Sequence, residues 1–310
     1  MWKLFGSTGK FQSRAAGDED SCNPSVEDSE TYNLTLRIVS VFVLLVISLL
    51  GASLAIISSR VKCLHISPVI INTGKFFGTG VILATGFIHM LPAATEALTD
   101  SCLSEEWRAY EAYAGLFAML AILAMQLIEF IAHQKLHRVP NKDNSESYNH
   151  KVSTYLLEFG VALHSVLIGV ALGTTDGSTF VALFIALCFH QFFEAIALGA
   201  QISRLNTKSL VPAILMIIFF SLTTPVGIGI GIGIHSGTYN PKSLAALMVN
   251  GVLDSVSAGI LIYVALINLM AAEMGVGAHA FFALKKRFKV LYFAALYLGT
   301  ALMAVIGRWA

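Results

Sequence analysis

Long apolar runs separated by short polar breaks account for almost the whole chain after residue 33. A helix that crosses a bilayer needs about 20 such residues to span a hydrocarbon core of about 30 Å. Runs of that kind fall near residues 34–59, 76–98, 110–133, 155–175, 178–200, 210–233, 244–270 and 289–308, which predicts eight transmembrane helices. A transmembrane barrel would instead show segments of about 10 residues with alternating polarity. No series of that kind is present, so the predicted fold is an all-α bundle.

Composition sharpens this picture. Hydrophobic residues make up 56 % of the chain and charged residues 13 %, and mean hydropathy is +0.73, whereas soluble domains carry about 25 % charge. An integral, multi-pass membrane protein embedded in a lipid bilayer is expected. The net charge of +1 and basic residues scattered at span ends exclude a nucleic-acid binder. Gly9-Lys10 and Gly74-Lys75 lack the upstream glycine of a phosphate-binding loop, and the sixth span's Gly227, Gly229, Gly231 and Gly233 have the wrong spacing for a dinucleotide fingerprint. No nucleotide is expected. Pro225 predicts a kink there, and the glycines predict close helix contacts.

Charge also orients the bundle, because cytoplasmic loops collect lysine and arginine. With the N-terminus outside, 13 of the 20 basic residues fall on the inner side and 7, Arg37 among them, on the outer side. Both termini are therefore expected to be extracytoplasmic. Residues 1–33 form an acidic outer tail that lacks the short apolar core of a cleaved signal peptide, so the first span is expected to remain. Residues 134–153 read as a flexible cytoplasmic loop carrying His137 and His150, with His133 at its membrane edge, and these histidines are candidates for weak binding of an ion at the inner mouth. Cys22 and Cys102 share the outer, oxidising side, which permits a disulfide between them.

Candidate chemistry lies in the fourth and fifth spans. His164 on one and His190 and Glu194 on the next fall near the bilayer midplane, the last two one helical turn apart on a shared face. Ionisable groups at such depth are costly and mark functional sites by default. Imidazole nitrogen with carboxylate oxygen suits divalent transition metals such as Zn²⁺ or Fe²⁺. The bland alternative, a hydrogen-bonded cluster that joins helices, needs no carboxylate, since Ser165 or Gln191 would suffice. His89, Glu129, Glu158 and Asp254 are further polar groups within spans. Each can be a plain helix contact, but together they trace a polar route, with His89 toward the outside and Glu129 and Glu158 toward the cytoplasm.

The stretches Gly80-Val-Ile-Leu-Ala-Thr-Gly-Phe-Ile-His89-Met-Leu-Pro92, His164-Ser-Val-Leu-Ile-Gly169, His190-Gln-Phe-Phe-Glu194, Ser257-Ala-Gly-Ile-Leu-Ile-Tyr-Val-Ala-Leu266 and Arg308-Trp-Ala310 resemble the plant and protist branch of the Zrt/Irt-like (ZIP) divalent metal transporters. The resemblance covers nearly the whole chain. It implies a transporter domain over 34–310, a homodimer, and a metal site of His164, His190, Gln191 and Glu194 with Ser165 beside it. It implies no resident cofactor, the metal being cargo. Four positions depart from the family pattern. Ser165 and Ile168 stand where some members hold a second ion with Asn and Glu, which counts against a binuclear site; Ala195 replaces a glycine, and Ala94 stands where aspartate is common. The last two changes are expected to alter affinity rather than remove function.

Import of Zn²⁺ or Fe²⁺ into the cytoplasm, most simply across the plasma membrane, is the function these residues predict. Two other classes use similar ligands. An intramembrane metal-dependent hydrolase would show His-Glu-x-x-His, whereas this chain has His-Gln-x-x-Glu. A metal-sensing receptor would bind the ion without passing it.

Overall fold

The computed structural model describes residues 33–60, 67–136, 142–175, 179–203, 205, 210–235, 243–275 and 278–307. Eight of its helices are long and apolar enough to cross a membrane, and among the described residues there is no strand. They are α1 (Leu34–Arg60), α2 (Pro68–Ala84, continued through Leu98), α3 (Tyr113–Leu136), α4 (Lys142–Thr174), α5 (Thr179–Ser203), α6 (Val211–His235), α7 (Leu244–Tyr263, continued through Met274) and α8 (Lys286–Ile306). The lipid-facing side chains of α1 and α3, such as Phe42, Leu50, Leu123 and Phe130, are more than half exposed, as expected where hydrocarbon replaces water as solvent.

Two spans change helical pitch near their middles. α2 passes through a π-helical turn at Thr85–Met90, and α7 through another at Val264–Ala271. Such turns rotate the residues beyond them and recur at functional sites.

Packing follows the small residues. On α4 and α6, a Cβ added to Gly169 would meet the α carbon of Gly227 at 2.9 Å, and one added to Gly173 would meet that of Gly231 at 2.8 Å, so the two backbones touch. α5 lies as closely on α1, where the Cβ of Ala195 fills the space opposite Gly51 and Gly199 faces Ala52. The methyl of Ala195 is thus absorbed by a glycine on the neighbouring helix. α8 meets α2 at Gly80 and Gly299, where a Cβ would strike the carbonyls of Leu296 and Phe77. Ala94, the other departure from the family pattern, is wholly buried against Leu98 and Ala114 rather than open to a vestibule.

The segment between the third and fourth spans differs from its composition-based description. α3 runs to Leu136 and α4 begins at Lys142, so most of 134–153 is helical and only 137–141 lies outside the described residues. Asp143 and Glu146 fall in the opening turns of α4, where the positive end of the helix dipole favours acidic groups. That preference lets the helix extend beyond its apolar stretch. Pro225 sits within α6, which continues past it to His235. Cys102 is disulfide-bonded; Cys22, its expected partner, lies outside the described residues, as do residues 1–32 generally.

Candidate metal centre

His164 projects from α4, and His190 and Glu194 project from α5, with all three at most 3 % exposed. His164 Nε2 lies 3.1 Å from His190 Nε2, and His190 Nε2 lies 3.2 Å from Glu194 Oε1. One atom from each residue can be chosen such that all three fall within 4.8 Å of one another. Zinc bonds of about 2.0–2.1 Å in tetrahedral geometry place adjacent ligand atoms about 3.3 Å apart. Both measured separations are close to that edge length, so the trio is spaced for one ion with little rearrangement.

Hydrogen bonding tells the same story. Neither oxygen of Glu194 receives a hydrogen bond, and Nδ1 of His164, Nδ1 of His190 and Oγ of Ser165 also lack partners. A buried polar atom without a partner costs roughly 1–3 kcal/mol, more when charged. Thr85, on the π-helical turn of α2, lies beside Glu194, but its hydroxyl donates to the Val81 carbonyl at 3.1 Å. The carboxylate oxygens of Glu194 are thus acceptors that a cation could satisfy.

His89 comes closer to the trio than its sequence position suggests. Its ring sits edge-on to His190 with centroids 5.0 Å apart, and its Nε2 is 3.1 Å from the Met303 carbonyl of α8. A carbonyl only accepts, so His89 Nε2 donates to it, and His89 stands beside the trio with that nitrogen committed to α8.

Gln191 takes a different position. Ser48 on α1 gives its one hydroxyl proton to the Leu44 carbonyl at 2.8 Å and accepts from Gln191 Nε2 at 3.0 Å. The amide nitrogen of Gln191 is thereby fixed on α1. Glu158 is buried on α4, with Oε1 unpartnered, six residues inward of His164 and so about 9 Å along the helix. Asp254 is half-buried on α7. Glu129 lies elsewhere, between α3 and α7, where Asn268 Nδ2 donates to Oε1 at 2.5 Å and the Tyr263 hydroxyl lies 2.9 Å from Oε2. His133 is on the last turns of α3 and His150 on the first turns of α4, while His137 lies outside the described residues. Residue type alone did not reveal Thr85 beside Glu194, because its place there depends on which helix is the neighbour.

Eight helices long and apolar enough to cross a membrane, with a buried two-histidine, one-carboxylate cluster close enough to hold one metal ion, define the class of polytopic membrane protein to compare. Comparison with known families agrees. The ZIP zinc transporter family model matches residues 34–154 and 140–307. The chain is 35 % identical to zinc transporter 9 of Oryza sativa subsp. japonica, over 96 % of each chain. It is 36 % identical to Fe(2+) transport protein 1 of Arabidopsis thaliana, over 94 % of this chain and 90 % of that one. The chain belongs to the ZIP zinc transporter family, whose members are metal transporters and not enzymes.

Proposed function

We propose that this protein carries Zn²⁺ or Fe²⁺ into the cytoplasm through a mid-membrane site formed by His164, His190 and Glu194. The observation that carries the proposal is the buried trio of His164 Nε2, His190 Nε2 and Glu194 Oε1, spaced for one ion, in which neither carboxylate oxygen receives a hydrogen bond. Relatives named for zinc and for ferrous iron support cargo of that class. His89 stands on the outer approach, its ring against His190. Glu158 is the next carboxylate inward on α4. Ser165, one residue from His164, has a free hydroxyl that suits a water ligand of the ion better than a second metal.

The inward direction rests on orientation, which the 13 to 7 distribution of basic residues supports. The disulfide at Cys102 adds to it, because that loop then faces an oxidising compartment. The chain has no phosphate-binding loop, so flux runs down a gradient. A homodimer in the plasma membrane is the assembly and location that family resemblance favours.

Uptake of radiolabelled Zn²⁺ and Fe²⁺ into proteoliposomes containing the purified protein tests the function. Time-dependent accumulation that is lost in Glu194→Ala is expected; metal binding without accumulation would indicate a receptor, and peptide-bond cleavage without accumulation a hydrolase. For orientation, an epitope at residue 5 is expected to be labelled on intact cells and one at Asn144 only after permeabilisation. Labelling of Asn144 from outside would reverse the direction.

A further inference from the structure

Arg37 is one of the largest side chains in the protein to be almost completely buried, at 1 % exposure, although it stands in the first turn of α1 at the edge of a membrane span. A guanidinium there needs acceptors, since its five donors find none in hydrocarbon. Its partners are mostly the end of another helix. Nε donates to the Gly173 carbonyl at 3.3 Å, Nη2 to the Thr175 carbonyl, and Nη1 to the Asn33 carbonyl at 3.2 Å. Its Cζ also stands 4.8 Å above the ring of Phe180, at the start of α5.

These contacts close the outer end of α4. The last four carbonyls of a helix have no partner within it. Here the Ala171 carbonyl accepts from the backbone N–H and the hydroxyl of Thr175, and Arg37 takes Gly173 and, one residue past the helix, Thr175. A cation also suits the negative end of the helix dipole. Through one side chain, α1 is fastened both to the end of α4 and to the beginning of α5.

His164 lies 11 residues before Thr175, and His190 lies 10 residues after Phe180. Each is roughly 15 Å down its helix from the guanidinium. α4 packs by its glycines on α6, and α5 packs by its small residues on α1. The two ligand-bearing helices thus rest on different neighbours. At the hairpin's outer end Arg37 contacts both arms, which ties them directly.

We propose that Arg37 is a positioning residue for the metal site: it holds α4 and α5 in the register that brings His164 to His190 and Glu194, and so tunes affinity and discrimination among divalent ions. This rests on the transport reading above, and the two are separated by the assay. Uptake by the parent protein tests transport, while the ratio of variant to parent tests Arg37.

The experiment compares Arg37→Lys, Phe180→Leu and Phe180→Tyr in proteoliposomes, with transporter copies counted and with KM, kcat and competition by Zn²⁺, Fe²⁺, Mn²⁺ and Cd²⁺ measured. Lysine keeps the charge but loses the planar fork. Arg37→Lys is expected to raise KM roughly three- to tenfold, the range that one or two lost interhelical hydrogen bonds correspond to, and to narrow discrimination among the four ions with kcat per copy little changed. Phe180→Leu, which leaves the hydrogen bonds in place, is expected to raise KM roughly twofold through the lost cation–π contact, and Phe180→Tyr to behave as the parent. A purely structural role would lower the copy number or kcat and leave KM and the competition order untouched; that outcome would overturn the proposal. If Arg37→Lys fails to reach the membrane, the two Phe180 variants decide, and identical KM values for both would overturn it equally.

Discussion

Two carboxylates lie in the membrane-spanning part of this protein with opposite hydrogen-bond surroundings. Glu129 on α3 has both oxygens engaged, by Asn268 and by Tyr263, and the Tyr263 hydroxyl also lies 2.9 Å from Gln126 Oε1. Glu194 on α5 is more deeply buried, yet neither of its oxygens receives a hydrogen bond. A protein that needs a carboxylate to join helices supplies it with donors, as it has for Glu129. A carboxylate whose oxygens receive no hydrogen bond beside two imidazoles is left available to a cation. Burial alone does not separate the two cases, but completeness of the hydrogen bonding does.

The strongest way to break this contrast is to remove the bare carboxylate. Glu194→Gln conserves shape while deleting the charge, and Glu194→Ala deletes the ligand. Both are expected to reduce metal uptake by at least about 100-fold, beyond the 10- to 100-fold typical of losing only an outer partner of a metal ligand. Protein level in the membrane should stay near that of the parent, because no hydrogen bond to Glu194 is lost. Transport of either variant at the parent rate would remove His190 and Glu194 from the mechanism.

His89 sharpens the contrast from the same side of the comparison. Its Nε2 donates to the Met303 carbonyl, and its ring packs edge-on against His190. His89→Ala is expected to lower uptake about tenfold, at the lower end of what a group supporting a metal ligand contributes. An effect as large as that of Glu194→Ala would instead make His89 a full ligand. Titrating binding of Zn²⁺ to detergent-solubilised variants, alongside uptake, distinguishes the two.

Much of this was legible in the chain. Eight spans follow from run length, and His164, His190 and Glu194 stand out because lipid tolerates such residues poorly. What sequence did not convey depends on neighbours and on local helical pitch. The π-helical turn at Thr85–Met90 brings His89 against His190, and spacing counted at 3.6 residues per turn does not foresee it. Arg37 reads as one more outer charge until α4 is seen to end beside it. Gln191 adjoins His190 in sequence, but a helix turns about 100° per residue, and its amide nitrogen lands on Ser48 of α1. Residues 142–153 are polar enough to read as loop, yet they continue α4.

Breaking the other half of the comparison should do much less. In membranes, interhelical hydrogen bonds average about 0.6 kcal/mol, so Tyr263→Phe, which removes one donor from Glu129, is expected to lower thermal stability slightly and uptake by roughly threefold or less. Glu129→Gln keeps an acceptor for Tyr263 and should fall in the same range. A loss of uptake comparable with Glu194→Ala would place Glu129 on the ion's path as a ligand, and the contrast between satisfied and bare carboxylates would fail as a guide.

The smallest effect is expected at His133, His137 and His150. His133 belongs to the end of α3 and His150 to the beginning of α4, so two of the three candidates sit on separate helices rather than on one flexible strand that could wrap an ion. Wrapping an ion costs about 1–2 kcal/mol of backbone entropy for each residue fixed. Their imidazoles can still receive a divalent ion in passing. They therefore suit brief reception and not selection. Changing His133, His137 and His150 together to alanine is expected to lower the maximal rate by about twofold at most, given that ordering cost, while Zn²⁺ and Fe²⁺ keep the same order in competition assays. A reversed order would move selectivity from the buried trio to the inner mouth, and the bare carboxylate of Glu194 would then mark where the ion crosses but not how it is chosen.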